Sequence, residues 1–544
     1  MKKIELLLGM ALLLAMMAAV LVCFSPYAPV VQQAMPIEAL WAIEDEREES
    51  EAPLVTALEC NGVPLAYDAQ ENTFYCTIGL DNGEAWPELH LTAPGARGVS
   101  LVFEDDYTYD WCNDAVKNNA EYWAMAYTDT EFCYFRIVFT GLPLVMIETA
   151  GEITPEDTPA QVTVSAYGSQ PIVSRANVHI RGASSIDREK SNLKVDFVRN
   201  ASGKKNWVTL PGIGVSHDVI LNGMGTDELL LRERLSWAIY DQLLGEAYSG
   251  AMDARSTQYA ELFVNGEYCG LYLMLEPIHP EDELTKASES AALTDSLYMT
   301  KVTLFVGERP WLVNEADRDT SYELRYAPAG APEFAGIEPY IALSMEQDDA
   351  VFAQKAEALL DMDSILRYGI LCQAGGFADN VHNNMLIWAH QTAGGLNYRF
   401  APWDMDMTWG ERPEMLGIDN DHWVAFPLLD RVLLLDVANA RRRYADMWTQ
   451  LRQDVLSVEN ITQLLADFSA EMSDSGALLR NAMRWDLPVD DTAGLEISSF
   501  AGTHMAAVDQ AAQMLLTEDA PSFLRPDWSI EEGVYPPIFP EAGE

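Results

Sequence analysis

The stretch YAELFVNGEYCGLYLMLE, residues 259–276, decides the fold class. Two apolar runs flank Asn265-Gly266, a dipeptide that readily supplies two successive positive-φ residues. The stretch therefore predicts two antiparallel strands closed by a tight hairpin turn. Upstream of it, VTVSAY (162–167), NVHIRG (177–182) and NLKVDF (192–197) also read as strands. Between these strands and the hairpin, Thr226-Asp227 predicts a helix start, with Leu231, Leu235, Ala238 and Ile239 on the buried stripe. Downstream, residues 446–520 are helical in pattern, with Leu464, Leu465, Phe468 and Met472 at helical spacing. Strands, a helix, a hairpin and then a helical half make an α+β domain over residues 155–490, followed by a C-terminal helix and an irregular Pro-rich tail over 491–544.

The residues before 155 have a different texture. In TFYCTIG, Phe74, Cys76 and Ile78 share one face, and in CYFRIVF, Cys133, Phe135, Ile137 and Phe139 repeat the period of two. Asn61-Gly62, Asp81-Asn82-Gly83 and Pro94-Gly95 separate the runs. Residues 53–150 thus read as a small all-β, sandwich-like domain with a spacing or binding role. Residues 29–52 form an acidic linker containing the charge run EDEREESE, Glu44–Glu51. Residues 1–28 read as a signal peptide or signal anchor. Lys2 and Lys3 precede an apolar run from Leu6 to Phe24, and its 19 residues are just enough to span a hydrocarbon core. The lysines place the N-terminus inside and the rest outside the cytoplasm. Val22 is too large for the small residue that lipidation of Cys23 would require. The lack of a clean small-x-small cleavage site before Ala28 favours an uncleaved, membrane-anchored, extracytoplasmic protein, whereas a cleaved signal would give a secreted one.

Composition excludes some functions. The chain has 544 residues, with 34 basic against 84 acidic side chains and a formal net charge of −50. Such a surface repels phosphate backbones, which argues against nucleic-acid partners, and it repels anionic headgroups, so membrane contact rests on the N-terminal segment. It attracts cations and basic peptides. Four of the seven cysteines, Cys60, Cys76, Cys112 and Cys133, fall in the β region. In an oxidising compartment they would form two bridges, such as Cys60–Cys76 with Cys112–Cys133, although four cysteines allow three pairings. No CxxC pair or Cys/His cluster suggests structural zinc.

Three constellations carry chemistry. In RGASSIDREKSNLKVDF (181–197), Ser184 and Ser185 lie on a turn after a strand, and a lysine-bearing strand follows. Small residues let backbone N–H groups approach phosphate oxygens, and lysine neutralises phosphate charge. Alternation puts Lys190, Asn192 and Lys194 on one face and Leu193, Val195 and Phe197 on the other. Alone, this segment favours the reading of an ordinary hairpin with exposed lysines. The second constellation is DNVHNN (379–384) and the third PWDMDMTWG (402–410). Mg²⁺ takes oxygen ligands, usually one or two carboxylates plus substrate phosphates. Asp379, Asn384, Asp404 and Asp406 offer that set, with only one of the last two on the metal if their loop is tight. The same residues would also serve an Asx-turn network. Trp403 and Trp409 would pack the loop, and His382 reads as a structural hydrogen-bonder.

These segments, in order, resemble the CotH spore-coat kinase family: RGASS with the lysine strand, DELLLRERL (227–235) bearing Arg232, the hairpin stretch, and D-x4-N followed by PWDMDMTWG. A late Arg484-Trp485 pair fits the same pattern. The resemblance covers roughly residues 155–490. It implies a divergent protein-kinase-like fold and ATP-dependent phosphorylation of protein Ser or Thr, with Mg²⁺ or Mn²⁺. By that resemblance Asp404 is the metal-binding aspartate, Asn384 the second metal ligand, and Asp379 the other acidic active-site residue. Lys190 or Lys194 contacts phosphates, Glu276 marks a hinge toward adenine, and Glu228 or Glu233 pairs with the lysine. The sequence departs from the family at Lys190-Ser191-Asn192, where adjacent lysines followed by an aromatic are usual. The implied substrate is a protein with basic, serine-containing segments on a spore coat or cell surface, and a cleaved signal would leave the chain itself secreted or on the spore surface. The rival reading is a non-catalytic surface or coat scaffold or adhesin that keeps only the kinase-like domain.

Overall fold

A computed structural model describes residues 27–28, 33–80, 91–96, 98–104, 112–182, 186, 188–245, 252–280, 295–301, 321–381, 383–411, 419–489, 493–525 and 537–538. The protein is mixed α+β and divides into two compact units. One comprises residues 1–223, 258–274 and 470–489, and the other residues 224–257, 275–469 and 490–544. Ser184, Ser185, His382 and the segment 1–26 lie outside the described residues. Among the described residues no helix is long and apolar enough to cross a membrane.

The first unit is built on β-sheet. Its centre is a closed barrel of seven strands in the order Leu144–Thr149, Thr158–Ser165, Ile172–Arg181, Asn192–Val198, Asp218–Asn222, Glu267–Leu275 and Thr257–Val264. Leu144–Ile147 pairs in parallel with Glu261–Val264 and closes the ring, so no edge remains open. Asn265 and Gly266 both take positive φ, and the predicted hairpin forms with its turn at this pair. Inside the barrel Val162, Val178, Leu193, Val195, Phe197, Leu262 and Met274 make one apolar cluster. Leu193, Val195 and Phe197 point inward as alternation predicts, which turns Asn192 and Lys194 to the other face. Strand Leu144–Thr149, at the end of the N-terminal β region in the sequence, belongs to this barrel.

Nearer the N-terminus, two further sheets enclose a core that includes Phe74, Cys76, Ile78, Phe135 and Ile137. One contains Glu59–Cys60, Val63–Pro64 and Leu91–Pro94, and the other Thr73–Thr77, Ser100–Glu104, Glu121–Tyr127 and Glu131–Thr140. The six described cysteines are free thiols. The two bridges expected from sequence are therefore not formed in the structure. The thiols of Cys60 and Cys76 are nonetheless hydrogen-bonded to each other.

Helix Ala477–Trp485 locks onto the hairpin within the same unit. Arg484 Nε donates to Tyr268 O at 2.8 Å, Trp485 Nε1 to Cys269 O at 3.2 Å, and Asn481 Oδ1 accepts from Leu271 N at 3.1 Å. The late Arg484-Trp485 pair thus satisfies strand backbone that would otherwise be left bare. Gly270 takes φ +97, and a Cβ there would sit 2.7 Å from Asn481 Oδ1. This glycine admits the helix side chains.

The second unit carries a four-stranded sheet, ordered Tyr322–Tyr326, Ser296–Lys301, Asn383–Thr392, Gly395–Pro402, with helices around it. Trp388, Trp409, Trp423 and Trp448 are fully buried, so these tryptophans are core. The helix predicted to start at Thr226-Asp227 begins at Arg232 instead. Asp227 still caps it from the preceding loop: Oδ2 accepts from Arg232 N at 2.7 Å.

Candidate active site

The acidic residues converge in the second unit. Helix Met362–Gly375 is capped at its start by Asp361, whose side chain accepts from Ser364 N, and it stops at Gly376, which is left-handed. The chain then makes the short turn Asp379–Val381 and enters strand Asn383–Thr392. That strand pairs with Gly395–Pro402, in register from Met385↔Pro402 to Thr392↔Gly395. The hairpin so formed sets Asp379 and Asn384 at one strand's start and Asp404 just past the other's end.

Asn380 fixes these two ends together. Its Nδ2 donates to Trp403 O at 2.7 Å, and Tyr368 OH donates to its carbonyl at 2.6 Å. Asn384 Nδ2 donates to Asp379 Oδ2 at 3.1 Å, with Asn383 Nδ2 on the same oxygen at 3.4 Å. The Asn384 amide oxygen is then the atom available as a cation ligand. Both Asn384 and Asp404 hold φ +57, a left-handed conformation that costs a non-glycine residue energy and is concentrated at functional sites. The loop after Asp404 is tight: Asp404 is exposed, Met405 fully buried and Asp406 half-buried.

The carboxylates disturb one another. Burial, followed by the charge of Asp404, pushes Asp379 up to about 6. Burial raises Asp406 well above the usual carboxylate range, and Asp404 and Glu233 add to it against a hydrogen bond from Thr226. Anions held this close favour a proton or a cation. The fit is open. Asp379, Asp404 and Asp406 do not bring one oxygen each to within 4.8 Å of one another, a spacing reached elsewhere by Asp157, His179 and Asp196 of the first unit. Carboxylate and amide oxygens are the ligand types that Mg²⁺ and Mn²⁺ take while keeping positions for phosphates and water.

The first turn of helix Arg232–Leu244 braces this loop. Glu233 Oε2 accepts from Met405 N at 2.6 Å and Oε1 from Trp237 Nε1 at 2.8 Å. Arg232 donates to Thr408 O at 3.0 Å and pairs with Asp227 at 2.6 Å and Glu411 at 3.0 Å. Trp409 Nε1 donates to Ser236 Oγ at 2.9 Å. Sequence reading singled out Arg232 and Glu233 for other reasons and passed over Ser236, Asn380 and Thr408. Spacing could have flagged Ser236: Arg232 and Ser236, four apart, share a helix face.

The candidate ligand-binding residues of the first unit sit in different surroundings. Lys190 is half-buried with its ammonium enclosed, donating to Leu271 O at 2.6 Å and Asn481 Oδ1 at 2.9 Å and lying 5.0 Å from the centre of the Tyr272 ring. Burial pushes it down to about 7. Lys194 lies 3.2 Å from both Asp196 and Asp218. Burial opposes its charge, but the two aspartates outweigh burial and hold its proton on. Glu276, in the second unit, exchanges backbone and side-chain bonds with Ser256 at 3.0 and 3.3 Å.

Comparison with known proteins agrees with the motifs. Residues 178–502 match the family model described as CotH kinase protein. The match takes in more than half of the 544 residues, and the chain belongs to the CotH family. No curated protein matches it.

Proposed function

We propose that this CotH-family chain is an ATP-dependent protein Ser/Thr kinase acting outside the cytoplasm, anchored through residues 1–28. One observation carries the reading: burial and the charge of Asp404 raise the proton affinity of both Asp379 and Asp406, with two candidate ligands, Asn384 and Asp404, in left-handed backbone. Asp404 and the Asn384 amide oxygen would hold a divalent cation, with Asp406 behind them. Bound Mg²⁺ or Mn²⁺ supplies neutralisation of phosphate charge during transfer. Asp379, close to half-protonated near pH 6, is placed to orient the acceptor hydroxyl and take its proton. Glu233 and Asn380 keep the loop and turn in register so that little reorganisation is needed. The net charge of −50 favours basic, serine-containing protein segments as acceptors.

The test is transfer of labelled phosphate from ATP by the full-length chain to a Ser- and Lys-rich peptide, with Mg²⁺ and with Mn²⁺. Metal-dependent labelling that disappears in Asp404→Asn supports the kinase. A folded protein that neither labels the peptide nor binds ATP is the scaffold of the rival reading. Equal labelling of a charge-reversed peptide would remove the substrate assignment alone. The same assay on Lys190→Met and Lys194→Met decides which lysine the reaction uses.

A further inference from the structure

Cys60 and Cys76 have no part in the acidic site, and they lie in different sheets. Cys60 ends strand Glu59–Cys60, where it pairs with Leu91 and Val63. Cys76 lies in Thr73–Thr77 and pairs with Phe139. The chain between them brings the sheets together: Ala66 pairs with Tyr75, and Leu65 N donates to Leu58 O. Both side chains are buried, both belong to the same apolar cluster, and their thiols are hydrogen-bonded to each other. They also line one cavity of about 330 Å³ together with Tyr167, Gly168 and Gln170. Cys133 is placed differently, its sulfur accepting from Leu54 N at 3.3 Å.

We infer that Cys60 and Cys76 are a disulfide-forming pair that staples the two N-terminal sheets together, and that of the bridges four cysteines allow, this is the one the fold forms. Two thiols hydrogen-bonded to each other within one sheet-to-sheet core are the pair placed nearest to bonding. The oxidant is a disulfide, such as oxidised glutathione. The bond to Cys60 and burial raise the proton affinity of Cys76, and exchange that starts from the Cys60 thiolate gives the same bond as the reverse order. That thiolate attacks one sulfur of the oxidant, forming a mixed disulfide and releasing one thiolate. Cys76 then attacks the Cys60 sulfur of the mixed bond and releases the second. Two electrons pass to the oxidant, and the two protons of Cys60 and Cys76 finish on the two released thiols. The bond closes a loop of about 17 residues, which restricts the unfolded chain.

The test is differential thiol labelling of the full-length protein, folded in a glutathione redox buffer. The protein is denatured without reductant and alkylated with one reagent, then reduced and alkylated with a second of different mass. Peptides containing Cys60 and Cys76 should carry the second label, and those containing Cys112, Cys133, Cys269 and Cys372 the first. In Cys60→Ser, Cys76 should move to the first label. Reductant should lower the melting temperature of the wild type by roughly 6–12 °C and leave a folded Cys60→Ser variant unmoved. First label on both Cys60 and Cys76 in wild type would overturn the inference, as would a bond from either to Cys112 or Cys133. The wild-type labelling decides the matter even if the variant does not fold.

Discussion

The two units treat buried charge in opposite ways. In the first, Arg480 Nε and Nη2 each donate to a Glu261 oxygen at 2.8 Å, with Asn119 Oδ1 and Ser475 O each taking a further donor. Arg480 and Glu261 are almost wholly buried, and Tyr268 OH completes the set at 2.7 Å from Glu261 Oε1. In the second unit, the principal groups that set the proton affinity of Asp379 and Asp406 are other carboxylates and neutral amide or hydroxyl donors. One cluster is complete within the polypeptide. In the other, burial and neighbouring carboxylates raise the proton affinity of Asp379 and Asp406, so a cation or a proton would stabilise it. A buried ion pair that the chain pairs internally is structural, whereas buried carboxylates that raise one another's proton affinity are candidates for a ligand site.

The comparison breaks most visibly at Arg480. Arg480→Ala leaves Glu261 buried without its cation and should cost about 3–5 kcal/mol, read as a drop in the denaturant midpoint. Asp404→Asn, which keeps a residue tolerant of left-handed φ, should leave that midpoint unchanged or raise it while abolishing phosphate transfer. Equal destabilisation by both would erase the distinction. Gly270→Ala should cost about 2–4 kcal/mol, because the added methyl meets Asn481 Oδ1 and Trp485 Nε1 at 2.7 and 2.8 Å with φ at +97. Wild-type stability there would show that the helix moves aside freely. Glu233→Ala orphans Met405 N and Trp237 Nε1 and should cost about 1–3 kcal/mol, with metal affinity falling about 10–100-fold; Mn²⁺ titration would detect it.

The smallest effect is on pH. Asp379 holds its proton up to about 6 in the folded protein, against an ordinary carboxylate value of about 4 when unfolded. Between these values the folded state binds more protons, so the contribution of Asp379 to stability in chelator should fall as pH rises from about 4 to 6 and be lost above that. Asp379→Asn should flatten that segment of a melting-temperature profile. Saturating Mn²⁺ should remove the penalty above pH 6, because the cation takes the proton's place.

Local signals carried much of this. Asn265-Gly266 announced its hairpin, and alternation in NLKVDF correctly separated the inward Leu193, Val195 and Phe197 from Lys194. The residue types around Asp379, Asn384 and Asp404 suggested oxygen ligands for a cation. What stayed hidden depends on distant pairing. Closure of the barrel rests on the parallel pairing of Leu144–Ile147 with Glu261–Val264, more than a hundred residues apart, and no local pattern encodes it. The grip of Arg484 and Asn481 on the hairpin spans a still longer stretch of chain, as does that of Glu233 on Met405. The helix start shifted from Asp227 to Arg232 because Asp227 caps from five residues upstream through its side chain. Lys190 read as a polar-face residue, yet its ammonium is enclosed by backbone and amide oxygens of strands and a helix that sequence alone does not bring together.

The most direct test of the central claim is the melting temperature of the full-length protein with and without Mn²⁺ and ATP, beside Asp404→Asn. The account predicts a metal-dependent rise of several degrees in the wild type, larger with ATP, and none in Asp404→Asn. An equal rise in both proteins, or no rise in either, would contradict the assignment of the acidic cluster as a metal–nucleotide site.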